Sequence, residues 1–224
     1  MKVTKKTRRG AVVLTLVFVL AFGIILIYAG CRLDSGSGPS SSPSGTRPGT
    51  PHVTAALSST KTSINVSWSS VSGAEGYYVY RSLDVSGSPS RVETTSYTSY
   101  TDTMLSAGTT YYYTVSAWNN AGVGNSSSPA WVTIVPAVPG NVTANAISAV
   151  SIRVTWDSVY GATGYNVYRS TDYPGSYSLA GSALSTAYTD IDLSPDTTYY
   201  YTVSAYNIGG ESNQSTSDWA TTWQ

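Results

Sequence analysis

Few residues in this chain of 224 have the chemistry that catalysis or metal binding needs. The one histidine, His52, and the one cysteine, Cys31, stand apart in sequence, so a Ser-His-Asp triad or a His/Cys zinc site lacks its parts. Asp190, Asp192 and Asp196 lie close together and invite comparison with a calcium loop. They lack the D-x-D-x-D-G spacing, however, and the corresponding stretch 88 residues earlier reads Asp102, Met104, Gly108. An ordinary acidic turn is therefore expected, with no metal, no cofactor and no catalytic residue. Gly209-Gly210 does not precede a helix pattern and makes no phosphate loop. What the chain has in surplus is tyrosine, 19 residues, with six tryptophans. Aromatic faces stack on sugar rings and anchor protein interfaces, so the open question concerns binding.

The elements that must position these aromatics announce themselves as a repeat. Thr109-Thr110-Tyr111-Tyr112-Tyr113-Thr114-Val115-Ser116-Ala117-Trp118-Asn119 recurs 88 positions on as Thr197 to Asn207, with Tyr206 as the one change. Thr, Tyr and Val without an internal Gly or Pro favour a strand. Ile64, Val66 and Trp68 alternate with polar residues, as do Ile152, Val154 and Trp156, the period-two pattern of a half-buried strand. Gly76 to Arg81, Tyr100-Thr101-Asp102 and Trp131 return at the same offset as Gly164 to Arg169, Tyr188-Thr189-Asp190 and Trp219. About seven short strands per copy, without helical periodicity, predict two β-sandwiches in tandem.

Alternation also divides the aromatics. With Tyr111, Tyr113, Val115 and Ala117 facing inward, Tyr112, Thr114, Ser116 and Trp118 face outward. Tyr78 and Tyr80 join that face, and Tyr168, Tyr200 and Tyr206 form its counterpart in the second copy. These seven aromatics (Tyr78, Tyr80, Tyr112, Trp118, Tyr168, Tyr200 and Tyr206) are the candidate ligand face. The competing reading is that they pair across strands and merely cover the sheet.

The remaining composition places the chain. Five of its twelve basic residues fall in the first ten positions, and beyond Gly30 seven basic residues face twelve acidic ones, so no basic patch exists to attract nucleic acid. Residues 11–28 are an uncharged apolar run, which reads as a signal peptide or a membrane anchor over residues 1–30 with the basic end left in the cytoplasm. Ala29-Gly30-Cys31 resembles the lipobox of bacterial lipoproteins, departing from it at Tyr28, where leucine is usual. That resemblance implies lipid attachment at Cys31; an uncleaved helix is the alternative anchor. Residues 31–50, rich in Ser, Gly and Pro, are expected to be a disordered tether. A location outside the cytoplasm, on the bacterial cell envelope, follows.

From residue 51 onward the motifs resemble the fibronectin type III module, an immunoglobulin-like sandwich. The second copy has Pro139, Trp156, Tyr165, Val167, Leu193, Pro195, Thr197, Tyr199, Val203, Ala205 and Asn207. The first matches it except at Ala107, where proline is expected. The resemblance implies domains over 51–135 and 136–224, with Trp68 and Trp156 central to the cores and Tyr111 and Tyr199 as tyrosine corners bonded to backbone near the preceding leucine. The linker Val135-Pro136-Ala137-Val138-Pro139 is short and proline-stiffened, so the modules are expected end to end as a rod. The function this implies is a non-enzymatic binding, adhesion or spacer protein. Its partners would be an envelope or host protein or a glycan; the alternatives are a carbohydrate-binding module or an accessory subunit of a surface hydrolase.

Overall fold

Strands and turns alone make up the computed structural model, which describes residues 45–224. Residues 1–44, with the expected signal or anchor, Cys31 and most of the expected tether, lie outside the described residues.

The first module has eight strands: β1 (Val53–Leu57), β2 (Ile64–Trp68), β3 (Gly76–Ser82), β4 (Ser90–Thr95), β5 (Ser99–Asp102), β6 (Thr110–Asn119), β7 (Gly122–Val123) and β8 (Ala130–Thr133). They form a three-stranded sheet, β1-β2-β5, facing a larger sheet ordered β4-β3-β6-β7, with β8 also paired to β6. The second module repeats this with β9 (Thr143–Ser148), β10 (Ser151–Thr155), β11 (Gly164–Ser170), β12 (Ser178–Ala183), β13 (Ala187–Asp190), β14 (Thr198–Asn207), β15 (Gly210–Glu211) and β16 (Asp218–Thr221). Its sheets run β13-β10-β9 and β12-β11-β14-β15, with β16 on β14. Every pairing is antiparallel, and β3 meets β6 in the same register as β11 meets β14: Val79 opposite Val115, Val167 opposite Val203.

Alternation places the cores. Ile64, Val66 and Trp68 on β2 face Tyr77 and Val79 on β3 and Tyr111, Tyr113, Val115 and Ala117 on β6 in one buried cluster; the second module buries the same set. Trp68 meets Tyr77 edge-on at 5.6 Å, and Trp156 meets Tyr165 at 5.4 Å. The Tyr111 hydroxyl accepts the Ser106 N–H at 2.9 Å and that of Tyr199 accepts the Ser194 N–H at 3.0 Å, each one residue past the expected leucine.

At two places the architecture departs from expectation. The stretch from Thr46 to Thr50, expected as the end of the tether, is laid on the first module: Pro48 is buried and Asn119 Nδ2 donates to the Thr46 carbonyl at 3.0 Å. Asn207 does the same for the inter-module linker, donating to the Ile134 carbonyl at 3.0 Å. Residues 46–51 are the counterpart of 134–139 at the 88-residue offset, down to both prolines. The module therefore begins with its linker.

The second departure concerns alternation itself. Ser116, Thr202 and Ser204 lie on the outward face yet are buried. The segment after β7 runs beside β6 and covers it, with Gly124 N donating to the Ala117 carbonyl and Ser127 N to that of Val115. Ser116 Oγ there meets Ser126 Oγ at 2.7 Å.

Candidate functional site

The repeated charges come first, because they are the strongest candidates for chemistry. Arg81 projects from β3 into the sandwich, and its Nη1 reaches both carboxylate oxygens of Asp102, at the end of β5, at 3.1 and 3.0 Å. The Tyr113 hydroxyl donates to Asp102 Oδ2 at 2.7 Å. Arg169, Asp190 and Tyr201 repeat the arrangement at 3.0, 2.9 and 2.9 Å. Desolvation first, and the hydrogen bond to the carboxylate second, push the Tyr113 and Tyr201 phenols far above the ordinary value. These tyrosines remain protonated donors at any physiological pH, so the triad ties the two sheets together and offers no proton to a substrate. Asp190 is thereby turned away from Asp192 and Asp196. Those two hold left-handed backbone at φ 59° and 50°, a conformation that aspartate tolerates better than most residues. The acidic run is a turn.

The expected aromatic face is assembled on the large sheets, but in two unequal parts. Tyr78, Tyr80 and Trp118 gather at the upper end of the first module. Tyr78 and Trp118 stack at 5.8 Å with 20° between planes, and Tyr80 meets Tyr78 edge-on at 6.4 Å. The Arg91 guanidinium lies 4.7 Å above the Tyr78 ring, a cation–π contact. Trp118 also lies over Gly76, where a Cβ would meet its ring at 2.7 Å. All three aromatics are half-buried. They pair with one another and roof the sheet.

The second module keeps a tyrosine at Tyr168 but has Tyr206 for Trp118, Asn166 for Tyr78 and Glu211 for Val123. Glu211 Oε1 accepts from Tyr168 OH at 2.7 Å, from Asn166 Nδ2 at 2.9 Å and from Ser204 Oγ. Burial works to raise the Glu211 pKa, but the bonds from Ser204, Tyr168 and Asn166, with the Lys61 charge, outweigh it and hold the carboxyl below its usual range. The hydrogen bond to Glu211, more than burial, raises the Tyr168 phenol in return. Lys61 arrives from the first module and donates to the Glu211 carbonyl at 3.1 Å. This end of the face belongs to the junction between modules.

Tyr112 and Tyr200 are separate from both groups, at the other end of β6 and β14. There the register sets Tyr112 opposite Trp131 and Tyr200 opposite Trp219. Tyr173, from the turn after β11, stacks on Tyr200 at 5.3 Å and 23°. Trp131, Trp219 and Tyr173 were absent from the sequence-derived face, although both tryptophans recur at the 88-residue offset. At 52%, 58% and 63% they are more exposed than any of those seven aromatics, all of which are half-buried. Among the described residues no group of three or more His, Cys, Asp or Glu side chains could hold a metal ion.

Comparison with known proteins agrees with this architecture. Exoglucanase B of Cellulomonas fimi is 34% identical over 74% of this chain, and Chitinase A1 of Niallia circulans is 30% identical over 74%. The chain spans only 16% and 24% of the length of these curated relatives, so the likeness concerns a minor part of each enzyme. A solved two-module fibronectin type III segment of chicken tenascin is 19% identical, covering 79% of this chain and 100% of that segment with a TM-score of 0.48. The Fibronectin type III domain profile matches residues 46–133 and again 137–221, each match beginning within or just after a docked linker. With two such sandwiches in tandem, each closed by its own tyrosine corner, the chain belongs to the fibronectin type III domain family.

Proposed function

We propose that this chain is a non-enzymatic protein of the bacterial cell envelope, held at the outer side of a membrane through its N-terminal segment and acting as a spacer and binding element. The observation that carries the reading is the closure of the repeated ionisable groups. Asp102, Arg81 and Tyr113, and their counterparts Asp190, Arg169 and Tyr201, are spent on one another inside the sandwiches. The carboxylates left exposed, among them Asp84, Asp157, Asp192 and Asp196, form no group of three that could hold a metal ion among the described residues, and the rest of the surface is mostly hydroxyls, amides and aromatics. The docked linkers support the spacer role, since Asn207 and Lys61 fasten one module to the next. Export is supported by the apolar run before Cys31, and attachment by the lipobox-like Ala29-Gly30-Cys31.

Two measurements on protein extracted from membranes test this reading. Its intact mass should correspond to a chain beginning at a diacylated Cys31, and the purified chain should release no reducing sugar from cellulose or chitin. Turnover that survives further purification would sink the non-enzymatic reading; an unlipidated full-length mass would replace the lipid by an uncleaved helix. A second reading, favoured by the likeness to Exoglucanase B and Chitinase A1, makes the chain an accessory partner of a separate surface hydrolase, which would then co-purify from mild detergent extracts.

A further inference from the structure

We propose that the binding surface of this chain is a pair of sugar-stacking platforms, one per module, made by Trp131 with Tyr112 and by Trp219 with Tyr200 and Tyr173. The ligand class is an extended glucan or chitin chain. The inference deepens the spacer-and-binding reading and rests on it.

Four observations carry it. The first is exposure: half-buried Tyr78, Tyr80 and Trp118 are used up in contacts with one another, whereas Trp131 and Trp219 leave 52% and 58% of their surface in water. A large aromatic kept exposed at the same register position in two modules is a surface without its partner.

The second is shape. In an antiparallel pair, directly opposed residues share a face, so Trp131 lies beside Tyr112 and Trp219 beside Tyr200. In the second module Tyr173 stacks on Tyr200 and covers one of its faces, so Tyr173, itself 63% exposed, presents the outer ring beside Trp219. Exposed aromatic rings set side by side across two strands suit the apolar faces of pyranose rings, which present axial C–H groups to an aromatic π-system.

The third is polarity. The next register pair on the same face is a pair of hydroxyls in both modules, Thr110 with Thr133 and Thr198 with Thr221, each with oxygens 2.8 Å apart, of which only Thr133 is buried. Hydroxyl beside aromatic is the chemistry that meets a neutral polyol. The charged neighbour of Trp219, Asp218, is turned to the sheet edge, where Oδ2 accepts the Ala144 N–H at 2.8 Å.

The fourth is the pattern of change between modules. The upper end of the face differs, Tyr78 against Asn166 and Val123 against Glu211, because the second module uses it to receive the first. The lower end keeps both the tyrosine and the tryptophan. Relatives named as an exoglucanase and a chitinase supply the ligand class, and the two polymers share the flat pyranose face.

The test is depletion binding of the full chain in detergent to microcrystalline cellulose and to chitin beads, compared with Trp131→Ala, Trp219→Ala and both together. Tyr97→Ala, a 76% exposed aromatic in another turn, serves as control. The native chain and the control should be retained, and the double substitution should weaken binding by about tenfold or more, as loss of aromatic anchors does. An unchanged thermal midpoint would show that the fold survived. Retention on one polymer alone would identify the sugar as glucose or its N-acetylated amine. The proposal is overturned if the native chain is retained on neither polymer, or if the double variant binds as well as the native chain. Such a failure leaves the spacer reading intact, since that rests on absent turnover and on the N-terminal mass.

Discussion

Replacing Asp102 by Asn keeps the shape of a side chain that is 2% exposed and removes its charge. In the native module this carboxylate accepts two bonds from Arg81 Nη1 and one from Tyr113, with Tyr100 OH at 3.4 Å. The amide brings its own N–H donors to a site already ringed by donors, so one oxygen's worth of acceptor is lost. Breaking a buried ion pair on one side costs about 3–5 kcal/mol. The Arg81 side chain is 34% exposed, so water can reach the abandoned guanidinium, and about 2–3 kcal/mol is the better figure here. For a module of this size each kcal/mol moves the midpoint by about 4–8 °C, so the loss amounts to roughly 10–20 °C.

The second module gives an internal reference. Its Asp190 triad is untouched, so differential scanning calorimetry of the full chain should show one transition moving down and one staying near its native position. Tyr113→Phe removes only the 2.7 Å hydroxyl bond and leaves the carboxylate on Arg81, so it should cost about 1 kcal/mol. Combined with Asp102→Asn it should cost less than the sum, because both changes act on one network. A shift below about 3 °C for Asp102→Asn, or equal shifts in both transitions, would refute the assignment of the triad as the tie between the sheets.

Two further predictions use the same geometry. The unfolded phenols ionise near pH 10 while Tyr113 and Tyr201, with folded pKa values raised by burial and by Asp102 or Asp190, stay protonated; stability is therefore fully present below pH 10 and falls above it, by about 1.4 kcal/mol per pH unit for each tyrosine. Denaturant midpoints from pH 9 to 11.5 should show this slope, and Tyr113→Phe should remove the first module's share alone. Asn207→Ala deletes the bonds to Ile134 and Gly161 and should loosen the junction while leaving both sandwiches intact, read as faster hydrogen exchange at the junction amides such as Gly108 N–H with core protection unchanged.

Most of the fold was legible because a strand facing one core writes its burial into alternate residues, and a second copy 88 residues on removes ambiguity in register. Ile64, Val66 and Trp68, or Tyr111, Tyr113 and Val115, could be placed without coordinates. The triads were less so. Arg81 and Asp102 recur together with Arg169 and Asp190, but they sit on opposite sheets, and nothing local says that two strands 21 residues apart will point their charges at each other. The aromatic face was half legible. Period two assigns Ser116 and Ser204 to the outside correctly; that a following segment then covers them is a tertiary fact. Trp131 and Trp219 were overlooked for the converse reason. The irregular stretch before β8 and β16 hides the register that sets them beside Tyr112 and Tyr200. At the start of the first module composition and repeat disagree: Thr46-Arg47-Pro48-Gly49-Thr50 reads as tether by its residues and as linker by its offset.

Where the copies diverge, the neighbour explains the change. Gly108 and Asp196 occupy equivalent turns with φ of 71° and 50°, so the backbone demands the left-handed region in both and an aspartate satisfies it at the second. A glycine is needed at the first for another reason: a Cβ there would collide with the Tyr160 carbonyl oxygen of the second module, and one on Gly161 with the Gly108 carbonyl. Its counterpart Gly73 has the same left-handed backbone as Gly161 and nothing within 4 Å of such a Cβ. Closeness of the two modules, not turn geometry, thus selects glycine at 108, just as the incoming Lys61 accompanies Glu211 where the first copy has Val123. Residues that answer to the fold are duplicated, and those that answer to a neighbour are not. By that rule the duplicated Trp131 and Trp219 should answer to the fold, yet exposed rings contribute little to it. On the sugar-stacking proposal this duplicated surface is the one that both modules present to the same glycan.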